Sequence, residues 1–391
     1  MNKWVRIGLY WAVVLASCLF IFIGNRYCME GLTIFQPMEG VEEFEGIVTG
    51  IVAEYQADET LNGGDGAMIL VVQAEIVGGE RDGERVIAEQ MLEGLYDIGI
   101  PPCREGDRVI LNYYAADGSW SVGDYIRTGP LIVLGIIFLA LILIFGRKKG
   151  VNTIISLLLT CAVIFLVFVP AVLKGINIYA ASIVICIFIT AMTLPLISGF
   201  TRKTVASMLG CVSGVLVAGA VGAVMSAILR LSGITDDDSI YLLFLGDQEI
   251  DLVAIIFAAI ILGAVGATMD VSMSISSALC EISEKVHKPK FSELLRSGMN
   301  IGRDVMGTMA NTLILAYIGS SLSITLLLCA TQTSLVQLLN REMVVVEILQ
   351  ALAGSMGILF TIPLTALIAS LLFRTKQEKE LPQPQPEGAE E

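Results

Sequence analysis

Charge is scarce in this chain. Only 16% of its 391 residues are Asp, Glu, Lys or Arg, while 55% are apolar and the mean hydropathy is +0.77. A soluble domain carries about a quarter charged residues, so an ordinary water-soluble fold is excluded. Basic residues are the scarcer sign. The 24 Lys and Arg stand against 38 Asp and Glu, and the formal charge of −14 excludes a basic nucleic-acid binder. There is one His, and the eight Cys show no C-x-x-C spacing, so a zinc site has no ligand set. No glycine-rich P-loop is present, so any transport is passive or ion-coupled unless a partner supplies ATP. An intramembrane aspartyl protease of the G-x-G-D kind is not supported either, because Gly246-Asp247 follows Phe244-Leu245. With no nucleophile–base pair, the chain reads as a non-enzyme without a cofactor.

What is abundant is long apolar sequence. A helix crosses a bilayer in about 20 apolar residues, and eight such runs occur: Trp4 to Gly24, then 130–146, 151–172, 177–198, 204–229, 252–271, 306–330 and 347–373. The first could serve as a signal peptide, and Leu15-Ala16-Ser17-Cys18 resembles a lipoprotein cleavage box. The apolar run continues through Leu19 to Ile23, however, which favours an uncleaved anchor. Lys and Arg set the orientation. Of the 24, fifteen fall in the loops on one side: Lys3, Arg6, Arg147, Lys148, Lys149, Arg202, Lys203, Lys285, Lys288, Lys290, Arg296, Arg303, Arg374, Lys376 and Lys379. The expected layout is a multi-pass membrane protein with both termini cytoplasmic. It comprises an anchor over 1–26, an extracytoplasmic domain over 27–127, a seven-span domain over 128–374 and a disordered tail over 375–391.

Between the first two runs the pattern changes to short β-type segments. Strands are predicted near 44–55, 68–77, 84–92, 107–115 and 119–127. Gly63-Gly64-Asp65-Gly66, Gly78-Gly79 and Ala116-Asp117-Gly118-Ser119 supply the turns. Five short strands suggest a small barrel of the OB type. The net acidity sits here, since residues 26–127 hold six Arg, no Lys and 20 Asp or Glu. With Asp236-Asp237-Asp238, Asp247, Glu249 and Asp251 in an outer loop, this makes a negative outer face able to concentrate cations, or simply a soluble one. Cys28 and Cys103 both fall on the oxidising side, where a disulfide can form; spacing alone does not decide whether it does.

Within the membrane, Gly210, Gly214, Ala218, Gly222 and Ser226 recur every fourth residue and mark a face for close helix packing. Asp270, Ser274, Ser277 and Glu281 share one helix stripe, as do Asp304, Thr308 and Asn311, with Arg303 beside them. These stripes are either an interfacial, water-facing edge or a site that handles ions or protons within the bundle. An Asp270–Arg303 pair would offset the cost of both charges. His287 reads as a solvated loop residue, Glu347 as a helix-end charge, and Pro195 and Pro363 as helix kinks.

Two blocks, 266–275 around Asp270 and 303–322 around Asp304 and Asn311, resemble the YibE/F-like membrane proteins. Gly146-Arg147-Lys148-Lys149-Gly150 is similar to the same family. The resemblance extends over essentially the whole ordered chain and implies a multi-pass integral membrane protein, without implying an activity. Two readings therefore stay open. One is a transporter or permease for a small solute or ion. The other is a sensor or scaffold that presents the outer domain to a membrane partner, or assembles as a homo-oligomer.

Overall fold

The structure, a computed structural model, describes residues 3–32, 40–56, 68–92, 101–244, 250–286, 289–331 and 334–378. The Gly63–Gly66 turn, His287, Asp247, Glu249 and the Pro-rich end of the tail lie outside the described residues. The chain divides into two compact units, Thr33–Leu141 and Met1–Leu32 with Ile142–Glu391.

The first unit holds a closed five-stranded barrel. Its strands are β1 (Val41–Gln56), β2 (Met68–Ile76), β3 (Arg85–Met91), β4 (Arg108–Tyr114) and β5 (Ser119–Tyr125), closing in the order β1-β2-β3-β5-β4. All five predicted strands are present within a few residues. Period-two patterning makes them: alternate residues of β2 and β3 are buried, and Val48, Leu70, Val72, Ala74, Val109 and Leu111 form the core. The 16-residue β1 pairs with both β2 and β4 and carries two register shifts, between Val48 and Gly50 and between Ile51 and Ala53. Such bulges bend a strand enough to close a small barrel. Gly46 is required inside, because a Cβ there would overlap Leu111 Cδ1. The β4–β5 turn forms at the expected residues: Gly118 has φ 74°, and Asp117 Oδ1 accepts from the Ser119 amide at 3.1 Å and its hydroxyl at 2.7 Å.

A latch ties residues 101–103 to this barrel. Buried Gln90 accepts from the Cys103 amide at 2.8 Å and donates to the Pro101 carbonyl at 3.2 Å, and Tyr125 donates to the same carbonyl at 2.6 Å. Burial pushes the Cys103 thiol up, and burial together with Cys103 pushes Tyr125 up to about 12. On the barrel surface the Arg81 guanidinium lies over the rings of Phe44, Tyr113 and Trp120, 4.9 Å from Tyr113.

The helices are α1 (Lys3–Met29), α2 (Thr128–Val163), which continues through a π-helical turn (Ile164–Phe168) into α3 (Val169–Leu173), α4 (Ile178–Ser198), α5 (Arg202–Leu229), α6 (Asp237–Phe244), α7 (Leu252–Lys285), α8 (Phe291–Ser320), α9 (Leu322–Thr331), α10 (Leu335–Leu339) and α11 (Glu342–Glu378). Among the described residues six helices are long and apolar enough to cross a membrane, or seven if the bent pair α8–α9 counts as one span. The chain is thus a helical membrane protein with a small β barrel. Eight separate crossings are not resolved, because the expected runs 130–146 and 151–172 fall in one element, Thr128–Leu173. Arg147 (φ 48°, ψ −125°) interrupts that element with a non-helical backbone.

Polar caps start the helices where the apolar runs begin. Asn177 accepts from the Ala180 amide at 2.9 Å, Thr201 from Thr204 at 3.3 Å, and Asp251 from Ala254 at 3.0 Å. Asp236 likewise accepts from the Ser239 amide at 2.8 Å, so two acids of the acidic stretch between α5 and α7, Asp236 and Asp251, serve as local caps. The helix α1 belongs to the bundle: Ile21 and Cys28 are buried with Val167, Ile185 and Ile189, and Phe20 stacks on Phe188 at 4.3 Å. Cys28 and Cys103 are both free, each buried in the core of its own unit.

Candidate functional site

The helix α5 runs at the centre of the bundle, and its small residues set how closely its neighbours approach. A Cβ on Gly210 would overlap Thr365 of α11, one on Gly214 would overlap the Thr361 hydroxyl, and Ala218 meets Gly357. Gly222 faces Ile260 of α7 instead. Such proximity maximises dispersion contacts where lipid offers no hydrophobic drive between helices. The buried Ser226 ends the row.

Hydroxyl groups line the interior of α4, α5 and α7. Cys211 lies 3.6 Å from Thr190 Oγ1 and 3.4 Å from Thr268 Oγ1, and Ser207 donates to the Ser272 carbonyl at 3.3 Å. Thr268, Ser272 and Ser276 are fully buried at four-residue spacing. Among the described residues Ser276 Oγ and Thr365 Oγ1 are buried without a hydrogen-bond partner. The predicted stripe lies on the other side of α7: Asp270 and Ser274 are exposed, and two residues turn a helix by about 200°. Apolar scanning missed the inner row because Ser and Thr are ordinary in membrane helices, where they bond back to their own turn. Its sequence signal is the four-residue repeat alone.

On α8, Arg303, Asp304, Thr308 and Asn311 are also exposed. Ser274 donates to the Asp270 carbonyl at 2.8 Å and Thr308 to the Val305 carbonyl at 2.9 Å, bonds within their own helices. The four ion pairs among the described residues involve neither Asp270, Arg303 nor Asp304, so the Asp270–Arg303 pair does not form. Register explains this. Gly263 of α7 sits against the Tyr317 hydroxyl of α8, and Leu279 sits against Gly298. Counting along the antiparallel helices from either contact places Asp270 level with residues 307–310 and Arg303 level with 274–277. At 1.5 Å per residue the two charges are offset by about 6–10 Å along the axis. Asp270 therefore shares its level with Gly307 and Thr308, while Ser274 lies nearer the level of Arg303 and Asp304.

Counted from the Asp251 cap, Asp270 lies about 28 Å along α7. Farther along α8, the helix stops at Ser320 and the chain bends by 62° into α9. Ser321 at the bend is buried and returns both its amide, at 3.1 Å, and its hydroxyl, at 2.9 Å, to the Tyr317 carbonyl. Glu347 of α11 is half-buried there, and its Oε2 is enclosed with no hydrogen-bond partner. The expectation of a simple helix-end charge overlooked this enclosure. No group of three His, Cys, Asp or Glu suited to a metal occurs among the described residues.

The profile of the family described as YibE/F-like protein matches residues 134–375. The chain belongs to this family. The match begins beyond the barrel, so the resemblance expected over the outer domain is not part of it; the matched stretch holds every helix from α2 to the body of α11, including Asp270, Asp304, Asn311 and Glu347. No curated protein and no solved structure matches the YibE/F-like chain.

Proposed function

We propose that the protein is an ion-coupled transporter or permease for a small solute or ion, and not an enzyme. One observation carries this reading: Asp270 is an unpaired carboxylate on a long apolar helix, level with the Gly307–Thr308 stretch of the polar stripe on α8. A charge at that position is expensive unless it faces water or takes up a cation, and charges of this kind mark ion and substrate pathways. The bent pair α8–α9 supports the reading, since transporters build sites at interrupted helices.

The proposal includes eight crossings. A straight helix of 46 residues would be about 69 Å long, more than twice the hydrocarbon thickness. Residues eight apart in it would be separated by about 12 Å, yet Gly150 is packed directly on the Ile142 carbonyl. The chain therefore doubles back at Arg147, giving two spans joined by the basic turn Arg147-Lys148-Lys149. Both termini and this turn are then cytoplasmic and the barrel lies outside, in a bacterial cytoplasmic membrane. The strand order, with β3 parallel to β5, supports an OB-type barrel.

Reconstituted protein with an Asp270→Asn substitution tests the transport reading. Flux of a solute found by uptake screening should fall by at least tenfold while the variant still folds. Flux unchanged from wild type in both Asp270→Asn and Asp304→Asn would remove ion coupling. Absence of any flux would favour the second reading, a sensor or scaffold with a membrane partner, which the independent barrel core supports.

A further inference from the structure

Glu347, Tyr317 and Gly263 come from three different helices and lie at one level. The contact of Leu313 with Gly354 sets the register of α8 against α11, as do Gly302 with Ile362 and Gly298 with Ala366. Counting from any of the three places Glu347 level with residues 317–320. The phenol of Tyr317 reaches across to α7, where only a glycine leaves room: a Cβ on Gly263 would overlap its hydroxyl.

The surroundings are otherwise apolar. On either side of Glu347, Val346 and Leu349 pack with Ala218 and Val221 of α5 and with Ile256 and Ile260 of α7. Thus α8 offers Tyr317 and these faces of α5 and α7 offer no titratable group. On α11 itself, Glu342 is engaged by the loop after α5, accepting from the Ser232 and Gly233 amides at 2.7 Å. None of the ion pairs among the described residues includes Glu347. An ionised carboxylate oxygen with no donor in such a place is unfavourable, because its lost hydration is not replaced.

The geometry points to Glu347 as a proton-binding residue within the membrane, with Tyr317 as its positioning partner at the α8–α9 bend. A proton fits better than a metal ion. One carboxylate and one phenol supply too few oxygens for a hard cation, whereas a proton needs a single oxygen and removes the buried charge. The C-terminal end of α8, the negative end of its dipole, also favours a positive charge arriving at this level. Counted along α8 by the same contacts, Glu347, Asp270 and Asp304 fall at successive levels. The site stands on its own geometry; its role as the coupling site rests on the transport reading above.

Full-length protein in lipid vesicles tests the site by infrared difference spectroscopy across a pH step. A protonated-carboxyl band is expected that disappears in Glu347→Gln, shifts in frequency in Glu347→Asp and moves in titration midpoint in Tyr317→Phe. A band identical in wild type and Glu347→Gln would overturn the site. A band that Tyr317→Phe leaves unmoved would overturn the pairing. Should Glu347→Gln fail to fold, the Glu347→Asp frequency shift decides the same question. The second arm measures proton entry into vesicles loaded with a pH-sensitive dye. Flux should drop at least tenfold in Glu347→Gln and recover in Glu347→Asp. Loss of the band in Glu347→Gln with no wild-type flux would keep the site and overturn transport. Unchanged flux in Glu347→Gln together with an unchanged band would overturn the site and leave transport standing.

Discussion

Gly214 of α5 lies against Thr361 of α11 so closely that a Cβ at 214 would overlap the threonine hydroxyl, with the Gly357 carbonyl 2.9 Å away. Backbone and a hydroxyl already bonded to its own turn form that wall, so neither can yield easily. Gly214→Val should destabilise the bundle by about 1–3 kcal/mol through overpacking. By contrast Gly266, with nothing near its would-be Cβ, should accept Ala with equal or higher stability. Thermal unfolding of the two variants in detergent, followed by circular dichroism, distinguishes them.

The proposed reversal at Arg147 predicts sidedness. A cysteine placed at Lys148 in a cysteine-free background should react with a membrane-impermeant thiol reagent only from the side that holds the C-terminal tail. One placed at Asp117 should react only from the opposite side. Labelling of both positions from one side would contradict the eight-span arrangement.

The barrel should weaken at alkaline pH through Tyr125. Its phenol, ordinarily near 10 in an unfolded chain, is raised to about 12 by burial and by Cys103. The neutral form is thus favoured by folding. The stabilisation is complete below pH about 10 and is lost as pH rises from about 10 to about 12. Tyr125→Phe should flatten stability across that window, at the cost of the bond to Pro101. Melting temperatures of full-length protein measured between pH 8 and 12 check the slope; parallel curves for wild type and variant would refute it.

Barrel closure depends on Gly46. Gly46→Ala should destabilise the barrel because the new methyl overlaps Leu111, and combined with Leu111→Ala the loss should be smaller than the sum of the two single losses, since the truncated side chain vacates that space. Gly50→Ala should cost much less, since its nearest neighbour is Glu105 Oε1 at 4.0 Å. Chemical denaturation monitored by the fluorescence of Trp120, in a chain whose other Trp residues are replaced, reports the difference.

Much of the fold was legible in the residues. Alternation between 68 and 76 and the Asp117-Gly118 turn placed the strands, because strand period and positive φ are local properties. Apolar length placed the helices, and four-residue spacing picked out the α5 face that meets α11. The candidate site was legible only in part. The stripes on α7 and α8 could be read from helical periodicity, but their mutual register could not. Position at the same end of consecutive spans suggests an Asp270–Arg303 pair, and the contacts of Gly263 and Gly298 place them about one to two turns apart.

The sequence by itself determined the solvent each segment lies in, the face each polar residue occupies on its own helix, and the concentration of acid in the barrel. These follow from composition and from fixed helical and strand periods. Only the tertiary structure decided which faces meet: that the inner hydroxyl row of α7 faces α5, that the helix is interrupted at Arg147, and that one oxygen of Glu347 is enclosed without a partner. The reason is that burial and register depend on the relative rotation and axial shift of separate helices, which contacts far apart in the chain establish.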